Sequence, residues 1–213
     1  PNPAFFAVDE EQKMSVAQKV ELTGLESNYL QATATPIPRT TALITHGAMD
    51  VSIIREMPVE KKITSLIVTA GEARRLFEHT RKVIDAGGQV AIVYPIVKDE
   101  EQEKKSVVAA FAEWNKHFPG QVGMVHGQMK EAEKLAAVDS LKAGVLKIAI
   151  VSSVIEIGLT LSSLRSLIVV HAERYGTSTL HQLRGRVARH GGFGYFFLYL
   201  PQSTSPETMQ RLR

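Results

Sequence analysis

The chain has 213 residues, no cysteine, 44% hydrophobic and 22% charged residues, and a formal net charge of +3. That length and hydrophobic share suffice for one sizeable globular unit with part of a second, and the ordinary charge content argues against wholesale disorder. The missing cysteines exclude disulfides and thiolate metal sites, no apolar run reaches membrane-spanning length, and a pI near 9.1 is compatible with nucleic acid without requiring it. The opening Pro-Asn-Pro-Ala-Phe-Phe has neither the basic region nor the long apolar core of a signal peptide. Beginning at a strand and without Met, the chain reads as an excised piece.

In chain order, residues 4–8 form a short apolar run that stops at Asp9-Glu10. A buried strand ending in two carboxylates is the pattern of a nucleotide-binding motif, with Asp9 toward Mg²⁺ and Glu10 toward an attacking water. An acidic helix cap after a strand gives the same letters. Residues 29–35 enter a Thr-Ala-Thr turn, and Pro36 and Pro38 force an extended exit. Residues 46–62 lose their pattern and read as the crossing between domains. Strands and helices then alternate. Strands are expected at 63–69, 89–95, 121–126, 147–152, 165–170 and 195–200, and helices at 72–86, 106–117 and 130–143. Strands separated by helices imply a parallel sheet, whose ligands sit at the carboxyl ends of the strands. Trp114 and Phe111 have core spacing, His79 and His117 read as surface residues, and the polar tail from Gln202 reads as frayed.

Residues 180–191, Leu-His-Gln-Leu-Arg-Gly-Arg-Val-Ala-Arg-His-Gly, concentrate fixed positive charge in Arg184, Arg186 and Arg189. Arg186 and Arg189 are three apart, so on a helix they share a face. Such guanidinium groups suit phosphate oxygens, and an arginine supplied from outside a phosphate loop stabilises phosphoryl transfer. A solvated basic helix or a nucleic-acid patch is the competing reading.

Five strings occur together and in order. They are Asp9-Glu10-Glu11-Gln12, Thr33-Ala34-Thr35-Pro36-Ile37-Pro38-Arg39-Thr40, His126-Gly127-Gln128-Met129-Lys130, Val154-Ile155-Glu156-Ile157-Gly158, and Gln182-Leu183-Arg184-Gly185-Arg186-Val187-Ala188-Arg189. With them the chain resembles superfamily 2 helicases, and more narrowly RecG-type DNA helicases, with the transcription-repair coupling factor as a close relative. The resemblance covers nearly the whole chain. It implies an α/β fold: a RecA-like parallel sheet with helices on both faces, as second motor domain, plus a remnant of the first. Residues 1–45 would be that remnant, 46–201 the second domain and 202–213 a tail. It further implies ATP and Mg²⁺ as cofactors, branched or single-stranded DNA as a sequence-independent partner, a cytoplasmic monomer, and a role in recombination and repair. By resemblance Asp9 and Glu10 hold Mg²⁺ and water, and Thr33 and Thr35 couple ATP state to DNA. Arg186 and Arg189 are arginine fingers, with Gln182 bonding at the same interface and Glu156 and Gly158 beside the nucleotide. His126, Gly127, Lys130, Ser152 and Ser153 lie on the DNA-backbone side.

The chain departs from the family pattern at Gln12 for His, Ser152-Ser153 for a Thr pair, Thr160 for Asp, Val170-His171 for Glu-Asn, and Ala188 for Gly. It also contains no Gly-x-x-x-x-Gly-Lys-Ser/Thr loop. Without that loop the phosphates lack their backbone cradle and lysine, so this chain alone is expected not to hydrolyse ATP. The alternative is a degenerate helicase-like module that binds nucleic acid or protein without ATPase activity.

Overall fold

A computed structural model describes residues 5–9, 28–32, 50–54, 56, 59–95, 100–152 and 161–212, with side chains at Tyr29 and 100–105 excepted. The chain divides into two compact units, Pro1–Glu56 and Met57–Arg213.

In the first unit β1 (Phe5–Asp9) pairs in parallel with β2 (Asn28–Ala32), in register from Phe5 against Asn28 to Asp9 against Ala32. A parallel pair needs a crossover of a dozen or more residues, which a hairpin turn cannot supply. The register brings the ends of both strands to one edge, where Asp9 is exposed after the buried Val8.

The second unit is one sheet with the order β3-β8-β7-β4-β6-β5, every pairing parallel. Its strands are β3 (Lys61–Thr69), β4 (Gln89–Val93), β5 (Val122–Val125), β6 (Ile148–Val151), β7 (Leu164–Val170) and β8 (Gly192–Leu200). The helices are α1 (Ala73–Asp85), α2 (Glu100–His117), α3 (Glu131–Lys142), α4 (Thr177–Arg186) and α5 (Pro206–Leu212). The central strands read as unbroken apolar runs because both faces are covered. Side chains alternate between the faces. Ala91, Val93, Ala149, Val151, Leu167 and Val169 lie on one side with Leu141 of α3 and Leu180 and Leu183 of α4. Val90, Ile92, Ile148, Ile150, Ile168 and Val170 lie on the other with Leu76 and Val83 of α1 and Trp114 of α2. Each fully buried side chain of this size contributes about 1.5–3 kcal/mol.

One polar side chain ties the layers together. Gln89, at the start of β4, donates from Nε2 to the carbonyls of Leu141 at 2.7 Å and Leu146 at 3.0 Å. These carbonyls lie in the last turn of α3 and just after it, where backbone acceptors lack helical partners. Gly88 is required beside it: a Cβ there would stand 2.9 Å from Arg165 Cγ and from Val83 Cγ1.

Three expectations need correction. α4 ends at Arg186; Val187 is extended and Ala188 left-handed at φ +49, so Arg189 lies beyond the helix and does not share a helical face with Arg186. The tail is not frayed throughout. α5 packs Leu212 and Met209 on the core, and Arg211 donates to the carbonyls of Tyr175 at 2.7 Å and Glu173 at 2.8 Å. His79 is half-buried against the rings of Tyr195 and Phe197, at 4.5 and 4.8 Å.

Candidate functional site

The second unit presents its candidate residues at opposite edges of the sheet. At the carboxyl edge, β5 runs into His126 and Gly127, a turn closes with Met129 N–H donating to His126 O at 3.2 Å, and Lys130 opens α3 in an extended conformation. Gly127 and Lys130 are exposed, whereas His126 is buried. Ser152 follows β6 and is also buried, with its N–H toward Val125 O at 3.4 Å and no hydrogen-bond partner for Oγ among the described residues. Among the described residues, the sheet therefore offers solvent the Gly127 backbone, the Gln128 amide and the Lys130 ammonium here, with the His126 imidazole and the Ser152 hydroxyl buried.

Tyr94 stands next to this group, at the end of β4, with its N–H on Val151 O at 2.8 Å. Burial, with Tyr199 close by, pushes its phenol up to about 12. It stays neutral through the physiological range. In the sequence Tyr94 stands out only within Val93-Tyr94-Pro95-Ile96, a stretch of RecG-type resemblance; its place at the site gives no signal until its neighbours are known. At the end of β7, Val170 is core, and His171 takes a left-handed conformation with Nδ1 3.0 Å from Glu173 Oε1.

The arginines lie at the amino edge. Ala188 N–H donates to Leu164 O at 3.0 Å, and Leu164 is the first residue of β7. Gly192 N–H donates to Glu60 O at 3.0 Å, just before β3. A seven-residue strand at about 3.3 Å per residue separates the two edges by roughly 20 Å. Within α4, Gln182 and Arg186 are four apart and share a face, both half-buried. Arg184 falls on the opposite face and turns to β3, with Nε 3.0 Å from Ser65 Oγ and Nη2 3.3 Å from Ile63 O. Arg189 is exposed on the loop after the helix. The structure thus brings Gln182 and Arg186 together, sets Arg189 beside them in the chain on different backbone, and removes Arg184 from the group.

Asp9 is the described member of the carboxylate pair. Glu10, Thr33, Thr35, Ser153, Glu156 and Gly158, with Gln12 and Thr160, lie outside the described residues. No three carboxylate or imidazole residues gather around a common point among the described residues.

Residues 75–191 match the helicase conserved C-terminal domain family. The chain belongs to that family. It is 38% identical to the ATP-dependent DNA helicase RecG of Synechocystis, aligning over 96% of this chain and 25% of that protein. RecG of Thermotoga maritima is 33% identical over 100% of this chain and 28% of its own length. The RecG-type likeness seen in the strings therefore extends along the chain, which spans a quarter to a third of the relatives it matches. Among solved structures, RecG bound to a three-way DNA junction superposes with a TM-score of 0.71 at 31% identity, over 98% of this chain and 27% of that one. Dbp5 of S. cerevisiae, bound to RNA and ADP BeF3, superposes with a TM-score of 0.66 at 13% identity, which speaks for the fold alone.

Proposed function

We propose that the chain is the second motor domain, with part of the first, of a RecG-like ATP-dependent helicase that remodels branched DNA. The observation that carries this reading is the division of chemistry between the edges of one parallel sheet. Cations for phosphate oxygens of a nucleotide stand at the amino edge, and a cation with an exposed glycine backbone stands at the carboxyl edge. Arg186 and Arg189 act as arginine fingers on the γ-phosphate, spreading its developing charge over fixed guanidinium donors. Gln182, on the face of Arg186, bonds at the same interface. Phosphates of DNA meet Lys130 and the Gly127 backbone, while His126 and Ser152 support that turn from beneath. Thr33, Thr35, Ser153, Glu156 and Gly158 complete the coupling and nucleotide contacts.

Asp9 fits a hard divalent cation, being an exposed carboxylate at the carboxyl end of a parallel strand. Asp9 would hold Mg²⁺, directly or through water, and Glu10 would orient the attacking water; the ion when bound would supply charge neutralisation at the phosphates. The phosphate loop is absent from this sequence, so hydrolysis by these 213 residues alone is not expected.

DNA-stimulated ATP hydrolysis decides the matter. In the full-length protein Arg189→Ala should lower turnover by about 10³-fold with little change in ATP affinity, because a finger acts on charge that develops in the transition state. Full turnover by Arg189→Ala, or robust hydrolysis by this chain alone, would refute the reading. A second reading, a binding module without hydrolysis, draws on β7. There the family's Glu-Asn is replaced by a core Val170 and a His171 engaged by Glu173.

A further inference from the structure

The loop that carries Arg189 leaves α4 with its carbonyls unpaired by the helix, as every helix end does. One of these carbonyls, and another at the far end of the loop, are taken by cations from distant strands. Lys61, the first residue of β3, donates from Nζ to Gly185 O at 3.0 Å, across 124 positions of sequence. Arg165, the second residue of β7, donates from Nη1 to Gly191 O, and reaches Phe193 O at 3.5 Å. Gly185 precedes Arg186, and Gly191 follows Arg189 by two residues, so the two cations hold the arginine segment at both ends. Arg184 returns the first tie, bonding to Ser65 Oγ and Ile63 O of β3. Between the ties, Ala188 is fixed by its N–H on Leu164 O and by close packing on Gly194, where a Cβ would stand 2.5 Å from Val187 Cγ1 and 3.2 Å from Ala188 Cβ.

We propose that Lys61 and Arg165 are positioning residues that set where Arg186 and Arg189 stand, acting on the backbone of the arginine segment and not on phosphate themselves. The physical reason is geometric. A finger arginine stabilises charge only within hydrogen-bond reach, and a displacement of the order of 1 Å costs on the order of 10²-fold in rate. An irregular segment with a left-handed alanine has no helical ladder to hold it, so its place must come from ties to the sheet. Both ties are charge-assisted, which makes them stronger than neutral ones. The inference rests on the finger reading of Arg186 and Arg189 above.

Two measurements test it. In this chain, amide hydrogen exchange at Ala188 should quicken at least about tenfold in Lys61→Met and in Arg165→Met, and Lys61→Arg should restore protection, since local opening governs exchange. In the full-length protein, Lys61→Met should lower kcat of DNA-stimulated ATP hydrolysis by about 10- to 100-fold with KM for ATP unchanged. Lys61→Arg should recover most of that loss, and Lys61→Met should cost nothing further once both fingers are gone, in an Arg186→Ala, Arg189→Ala background. Unchanged exchange in both Met variants overturns the proposal, as does an unchanged kcat or an equal loss in the background that lacks both Arg186 and Arg189. If Arg186→Ala and Arg189→Ala themselves leave kcat intact, the finger reading fails, and the exchange result alone then decides whether the two cations hold the segment.

Discussion

Ala188 carries a methyl group in the left-handed region, at φ +49, and is almost fully buried. That conformation costs a residue with a Cβ about 1–2 kcal/mol, and glycine's greater freedom in the unfolded chain offsets about 0.5–1 kcal/mol of the relief. Ala188→Gly, the family's residue, should therefore raise stability by about 1 kcal/mol in urea denaturation. Gly194→Ala should act in the opposite sense, by about 1–3 kcal/mol, because its new Cβ meets Val187 Cγ1. The departure at 188 is legible in the letters, but its consequence is not, since φ at a helix exit follows from the ties of the loop. His79 teaches the same lesson. Its letters suggest a surface helix position, yet burial, and then Lys82, lower its pKa below the usual 6.5. The folded state thus binds this proton less well than the unfolded chain. Its contribution is fully present above about pH 6.5 and falls as pH drops through 6.5 toward the folded value. The urea midpoint should fall between pH 7.5 and 5.5, and His79→Phe should flatten that dependence; an equal slope in the variant would refute it.

At the scale of elements, periodicity places the strands and the long helices because burial on a regular lattice leaves a regular trace. The ends and the short pieces are decided otherwise. α4 stops where Val187 and Ala188 dock against β7 and β8, although Arg186 and Arg189 keep helical spacing in the sequence. α5 has seven residues, too few to hold as an isolated helix, and its polar letters hide two anchors. Leu212 enters the core, and Arg211 takes the carbonyls of Glu173 and Tyr175 just after β7. Leu212→Ala should destabilise the second unit by about 2 kcal/mol, at the low end for a buried leucine because Leu212 keeps 9% of its surface exposed. Thermal unfolding measures it, and an unchanged midpoint would mean that α5 contributes no packing.

For the whole molecule, the strings named the family, while the placement of their residues came from topology. His126 and Ser152 share a motif side with Lys130 in the sequence, yet these two are buried while Gly127, Gln128 and Lys130 reach solvent, because strand ends in a parallel sheet are roofed by the turns that follow. Arg184 looks like its neighbours and is turned away from them by two residues of helix, a rotation of about 200°. The consequence is that the functions proposed for the two edges should separate under mutation. With roughly 20 Å between them along β7, a lysine at one edge and an arginine at the other share no contact, and distant sites act additively. Lys130→Ala in the full-length protein should weaken single-stranded DNA uniformly across sequences and reduce the slope of log affinity against log salt by about 0.7, one phosphate contact's worth. Turnover at saturating DNA should be unaffected. Arg189→Ala should leave DNA affinity and its salt slope intact while hydrolysis collapses. Titrations at several salt concentrations, paired with ATPase at saturating DNA, read both quantities on the same samples. If Lys130→Ala leaves the salt slope unchanged, the carboxyl edge is not the phosphate-tracking side. If Arg189→Ala instead weakens DNA in a salt-dependent way, the amino-edge arginines belong to a nucleic-acid patch, and the basic-patch reading of residues 180–191 prevails.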